Sequence, residues 1–388
     1  MTARKTALIA TLPKSGTWFA HSFLWSYKQM LNNAAAYADG SFIPDIKHAL
    51  RDRKIRGEAS YRDMPGIHEL FVCHSVCPGF YELGDKRFNE WEALYFPLMH
   101  DSYSWYNCGE AYMRDHAGWD NATPQLNSEA RIVYLYRNPL DHFVSHYRHL
   151  CSHVDPKYKC RVMSDGSLVR VSGIGDFVFN FGALGAFIKH FYSFRQMQLR
   201  FPGQVMMVPY ERMAVKPETT MESIMAFIGI APDSPEKQRM ARDALGLCSR
   251  KSMMALEAEI GHSMLGDRTG SEKHVSNSAN IGKWMGSFSD DDLAQIEAAL
   301  NLFDISLDDF HIDEDDNYDL SVIVGISQEK RRVYQNAFLL QQMASVGIQV
   351  SWLRRQLDKA RTEARFMRLL RHNSIISTLQ KITIRLRA

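Results

Sequence analysis

The chain has 388 residues, room for one large domain or two ordinary ones, and its 45% hydrophobic and 23% charged content excludes wholesale disorder and fibrous structure. Lys+Arg 46 against Asp+Glu 44 leave a formal charge of +2, too balanced for a surface that tracks a nucleic-acid backbone. Six cysteines without a CxxC pair are too few for a disulfide scaffold and fit a reduced compartment, and Cys73 and Cys77 lack the second ligand pair that a zinc site needs.

The first predicted element is a strand, TALIATL (Thr6–Leu12). It is too short to cross a membrane and leads into a glycine turn rather than a cleavage site, and no run of about 18 apolar residues occurs elsewhere. A cytoplasmic protein without a transmembrane segment is expected. The strand runs into PKSGTW (Pro13–Trp18) and an amphipathic helix over Phe19–Leu31. Strand, loop and helix in that order let backbone N–H groups and a helix N-terminus collect a phosphate. Lys14 adds a point charge, Ser15 and Thr17 add hydroxyls, and Gly16 lets the backbone close around the anion. Lys14 precedes the only glycine, unlike the GxxxxGK[ST] loop of nucleoside triphosphatases, so a metal-free cradle is expected.

ELFVCHS (Glu69–Ser75) and ALYFPLM (Ala93–Met99) are the next strands; His74 lies in the first and His100 directly follows the second. RIVYLYR (Arg131–Arg137) follows as a buried strand, broken at Asn138-Pro139 where a helix over Leu140–Leu150 begins with proline near its first turn. Arg137 stands at the strand's carboxyl end, with Ser145 eight residues later. Doubly wound sheets place ligands at that edge, and arginine suits bidentate phosphate contact. A helix over Gly182–Arg200 and a strand over Gln204–Tyr210 complete an alternation that predicts an α/β fold, a parallel sheet flanked by helices. Two anion sites at two strand ends suggest a ligand with two separated phosphates.

The acidic run Leu307–Asp319 reads as an exposed linker, dividing a domain over residues 1–319 from a helical extension over 320–388. From Gln328 onward 13 Lys/Arg face 3 Asp/Glu, a tail of net +10 on a body of net −8. Leu339, Met343, Val346, Val350, Leu353, Leu357, Ala360, Ala364 and Met367 trace about four heptads. Two outcomes stay open, a coiled coil that makes a homo-oligomer and a helix folded back on the body; contact of the terminal arginines with an acidic membrane is a third.

TLPKSGTWF resembles the 5′-phosphosulfate loop of the sulfotransferases, usually TYPKSGTTW, and YLYRNPLDHFVSHY resembles their 3′-phosphate motif. The resemblance runs over about Thr6–Phe303 and implies the P-loop-like fold of that family, with transfer of a sulfuryl group from 3′-phosphoadenosine 5′-phosphosulfate (PAPS) to a hydroxyl or amine of a small-molecule acceptor, without metal. It implies that Lys14, Ser15, Gly16, Thr17 and Trp18 surround the 5′ end and that Arg137 and Ser145 hold the 3′-phosphate. Tyr210, in VPYERMAV, is implied near the adenine, as is Ser249, although Cys248 and Arg250 replace the family's Thr and Phe around it. NSANIGKW keeps Gly282, Lys283 and Trp284 of the family's RKGxxGxWK segment but lacks its Arg-Lys pair; Arg268, Lys273 and His274 are neighbouring cations able to compensate. Single Thr17 before Trp18 departs from the double threonine.

In-line transfer also needs a base, in this family a histidine at a strand end between the two motifs. His100, followed by Asp101 and nearer to Arg137 in sequence, is favoured over His74, which lies sixty residues after Lys14. His142, His146 and His149 are expected to orient or shield the helix after Arg137. A nucleotide or small-molecule kinase on a similar sheet is the alternative, disfavoured by the loop order and by the lack of a clear magnesium carboxylate motif.

Overall fold

The structure is a computed structural model, and it describes residues 5–51, 60–62, 64–67, 69–74, 117, 126–152, 160–162, 168–260, 281–301 and 303–310. The expected strand over Ala93–Met99 and the whole extension over 320–388 lie outside the described residues, and so do His100, Arg268, Lys273 and His274.

Five strands form the main sheet: β1 (Thr6–Thr11), β2 (Ser60–Arg62), β3 (Glu69–Cys73), β4 (Ala130–Tyr136) and β7 (Val205–Pro209). Their order is β2-β3-β1-β4-β7. β3, β1, β4 and β7 are parallel, in a register that pairs Leu8 with Phe71 on one side and with Ile132 on the other, while short β2 runs antiparallel along β3. The four parallel strands are those expected from near-continuous apolar runs. The second unit of the chain contains a hairpin of its own, β5 (Cys160–Val162) paired antiparallel with β6 (Leu168–Arg170).

Helices cover both faces, which is why the strands are buried on both sides. On one face α1 (Thr17–Asn32) turns Ala20, Phe23, Leu24, Tyr27 and Met30 inward, and a later helix, α8, packs along it. Sheet residues Ala7, Ile9, Leu70, Val72, Val133 and Leu135 share that core. Between them in the chain come α2 (Ala34–Ala38), α3 (Ile46–Arg51), α4 (Pro139–Ser152), α5 (Ala183–Arg200), α6 (Tyr210–Val215) and α7 (Pro217–Ile228), and α8 itself spans Pro235–Cys248. On the opposite face α5 lays Phe191 and Phe194 against the β4 tyrosines: Tyr134 stacks on Phe194 with centroids 4.1 Å apart, and Tyr136 meets Phe191 edge-on at 5.0 Å. α9 (Arg250–Ile260) and α10 (Asp290–Asn301) complete the described helices, and a π-helical turn at Asp176–Asn180 precedes α5. Cys73 and Cys248 are buried free thiols and Cys151 is an exposed one.

Candidate active site

β1 lies between β3 and β4 in the sheet, so the chain departs to opposite sides from neighbouring strands. The crevice at the carboxyl ends of those strands is where such sheets receive ligands. His74 follows β3, Pro13–Thr17 follows β1, Arg137 follows β4 and Tyr210 follows β7. Parallel strands thus carry all four to one edge.

The loop after β1 is tightly wound. Ser15 N–H donates to the Leu12 carbonyl at 3.0 Å, Lys14 takes φ 69° and Gly16 φ 93°. A left-handed lysine costs about 1–3 kcal/mol, a strain that concentrates at ligand sites. A Cβ on Gly16 would stand 2.3 Å from the end of Met213 and 3.2 Å from the Tyr210 ring, so the loop needs glycine for conformation and for space. α1 starts without a side-chain cap and without an acidic residue in its first turn, leaving its first amides to an anion. Ser15 is fully buried, and its hydroxyl has no hydrogen-bond partner. Trp18 is half-buried against the core, its ring 6.3 Å from that of His21, which fits ring packing better than phosphate contact.

Lys14 is pushed down to about 7 by burial and then by the Arg137 charge; Glu257, on α9, pushes back and Lys283 adds to the lowering. A bound anion would reverse these repulsions.

His74 is buried at the end of β3. Its Nδ1 lies 2.9 Å from the Thr11 carbonyl and 2.9 Å from Thr11 Oγ1. A carbonyl only accepts, so Nδ1 carries the proton in the neutral ring and Nε2 is the basic nitrogen. Thr11 Oγ1 donates to the Cys73 carbonyl at 3.2 Å and lies 2.7 Å from Thr17 Oγ1, tying the histidine to the first turn of α1. Burial lowers His74 to about 4, the Thr11 bond opposes, and Lys14 lowers it further.

The histidines of α4 face the first loop, not only their own helix. His142 donates to the Pro13 carbonyl, and burial, His146, Arg137 and His190 hold it well below the usual range. His146 is lowered to about 3 by burial, then by Lys14 and His74; burial and then His74 bring His21 to about 3.

Arg137 is 1% exposed and bridges the two motifs. Its Nη1 donates to the Lys14 carbonyl at 3.2 Å, its guanidinium lies 4.8 Å from the Tyr210 ring centroid, and its Nε is 4.0 Å from Glu211 Oε1. Glu211 also accepts the Asn138 amide at 2.9 Å. Burial raises Glu211 to about 7 against the pull of Asn138 and Arg137. Asn138 caps α4, its Oδ1 accepting from Leu140 N at 3.0 Å.

One turn into α4, buried Asp141 accepts from the amides of Gly282 at 2.7 Å and Trp284 at 3.2 Å. That grip fastens residues 282–284 to the helix and brings Lys283 to the site. Lys283 is lowered to about 8 by burial and then by Arg137, Arg148 and Arg250, with Asp141 opposing. Ser145 is half-buried and Arg148 exposed on the same helix. Ser249, expected near an adenine, caps α9: its Oγ accepts from Ser252 N at 3.2 Å. Sequence reasoning missed Asp141, Arg148 and Glu211 because each acts on a residue far away in the chain; among them, only the helical spacing of Asp141, Ser145 and Arg148 could have been read beforehand. Among the described residues, no group of three or more His, Cys, Asp or Glu is placed to hold a metal ion, and no helix is long and apolar enough to cross a membrane.

Residues 4–301 match the family described as the sulfotransferase domain. Cytosolic sulfotransferase 16 of Arabidopsis thaliana is 21% identical over 175 residues, 44% of this chain and 50% of that protein. A flavonol sulfotransferase-like protein of Flaveria bidentis is 26% identical over 133 residues, 34% of this chain and 41% of the relative. The chain therefore spans half or less of the curated relatives it matches. Among solved structures, retinol dehydratase in complex with androsterone and the inactive cofactor PAP aligns with a TM-score of 0.42 and 14% identity, covering 77% of this chain and 80% of that one.

Proposed function

The chain belongs to the sulfotransferase domain family, and from that premise we propose that it moves the sulfuryl group of PAPS to a hydroxyl or amine of a small-molecule acceptor, in line, with His74 as general base. The observation that carries this reading is the convergence of a metal-free anion cradle, a buried arginine and a histidine of defined tautomer on one sheet edge.

The residues fit the cofactor. Buried Ser15 offers a hydroxyl with no protein partner, Gly16 leaves a concavity that a Cβ would fill, and Lys14, Arg137 and Lys283 repel one another until an anion arrives. PAPS supplies an activated sulfuryl group between two phosphate-bearing ends. Lys14 and the first amides of α1 hold positive charge where the leaving oxygen gains negative charge. Arg137 and Ser145 bind the 3′-phosphate, and Tyr210 packs beside Arg137 toward the adenine. His74 keeps Nδ1–H on Thr11 and takes the acceptor proton on Nε2. Its depressed basicity belongs to the state in which Lys14 is uncompensated by ligand; negative charge beside Lys14 raises it. His100 remains the other candidate base, and it lies outside the described residues. A cytoplasmic setting and a separate helical extension over 320–388 belong to the same proposal.

The test is incubation of the purified chain with sulfur-labelled PAPS and a panel of phenols, alcohols and amines. Label should appear in an organic sulfate or sulfamate and be lost in Lys14→Ala. Equal labelling by the variant would sink the reading.

A further inference from the structure

The 3′-phosphate end poses a question that the sequence leaves open: this chain lacks the Arg-Lys pair of its family's late segment, yet it keeps the glycine and tryptophan around it. We propose that Arg148 and Lys283, brought together by the grip of Asp141 on residues 282–284, form the 3′-phosphate clasp of this chain. The inference rests on the cofactor reading above.

Geometry carries it. Asp141, Ser145 and Arg148 occupy positions i, i+4 and i+7 of α4 and therefore one helix face. That face is the one to which Gly282 and Trp284 are bonded through Asp141, so Lys283, between them, is held at its N-terminal end. Arg137 stands just before the same helix and is buried, while Arg148 is exposed and able to reach a ligand from the solvent side. The electrostatics agree with the placement: Lys283 feels Arg137, Arg148 and Arg250 together, a gathering of like charge that a dianion would relieve. Arg250 opens α9 next to the capping Ser249 and adds to the field from the other side. Asp141 is a positioning residue here, since its oxygens are engaged with backbone amides.

The test uses calorimetric titration of the full chain with 3′-phosphoadenosine 5′-phosphate and, separately, with adenosine 5′-phosphate, which lacks the 3′-phosphate. Arg148→Gln should weaken the bisphosphate about tenfold or more, the size of a lost charge-assisted hydrogen bond, and leave the monophosphate unchanged. Arg148→Lys should fall between the two, because it keeps the charge without the fork. An unchanged bisphosphate affinity in Arg148→Gln, or an equal loss for both ligands, would overturn the clasp while leaving the cofactor reading intact. An unsubstituted chain with no preference for the bisphosphate would overturn both. Arg148 is exposed, and a melting temperature unchanged by the substitution will show that the fold is kept.

Discussion

At the end of β1 an anion meets mostly backbone, with a buried hydroxyl and one lysine held in a left-handed conformation between β1 and α1. At the start of α4 it meets side chains, drawn from the end of β4, the exposed face of a helix and a segment about 140 residues away. The first region spans a few consecutive residues and is wound before any ligand arrives. The second is assembled through Asp141 and stays open to solvent. Rigid, dry construction suits the end where bonds change, because fixed donors there need no reorganisation during reaction. Long cationic side chains suit the end that only anchors, where reach matters more than precision.

Four substitutions or conditions should separate these roles. The largest effect is expected at His74: His74→Ala should lower turnover about 10²- to 10⁴-fold, as loss of a general base does, with bisphosphate affinity nearly unchanged. A comparable loss in His100→Ala, with His74→Ala active, would move the base to His100. Next, Lys14→Ala should lower turnover about 10²- to 10³-fold and weaken the bisphosphate as well, read by steady-state rates beside calorimetry.

Proton linkage comes third. Lys14 lies near 7 and Lys283 near 8, and each is cationic only below its pKa, so bisphosphate affinity should fall as pH rises from about 7 to 9. Binding at pH 8 should take up protons, because the ligand's charge raises both groups. Calorimetry in buffers of different ionisation enthalpy measures that uptake, and Lys14→Arg should remove the part due to Lys14. Zero uptake would mean that neither lysine touches the anion.

The smallest effect separates the regions by salt. Raising ionic strength from about 0.05 to 0.5 M shortens the screening length severalfold. The advantage of the bisphosphate over adenosine 5′-phosphate should shrink, since exposed Arg148 supplies part of it, while the monophosphate's own affinity changes less. An equal loss for both would erase the contrast between a dry and an open site.

Much of the sheet was legible because β1, β3, β4 and β7 are apolar runs buried on both faces, bounded by polar or turn residues. Three-residue strands such as β2, β5 and β6 carry no periodicity and were missed. Lys14, Ser15, Gly16 and Arg137 could be found because strand ends place ligand residues by chain position alone. Preference for His100 came from closeness to Arg137 along the sequence, whereas in the sheet β3 and β4 both flank β1, which puts His74 beside the first loop. Asp141 and Glu211 were illegible for a common reason: each meets its partner through a contact spanning more than seventy residues. Ser249 shows the limit of motif transfer, since a hydroxyl before a helix serves as its cap whatever else the family uses it for.

The central claim is that both regions serve one ligand carrying two separated phosphates. Calorimetric titration of the full chain with 3′-phosphoadenosine 5′-phosphate, beside ATP with magnesium, tests it most directly. The account predicts micromolar binding of the bisphosphate and little heat from ATP. Tight ATP binding with no response to the bisphosphate would contradict it and favour a kinase.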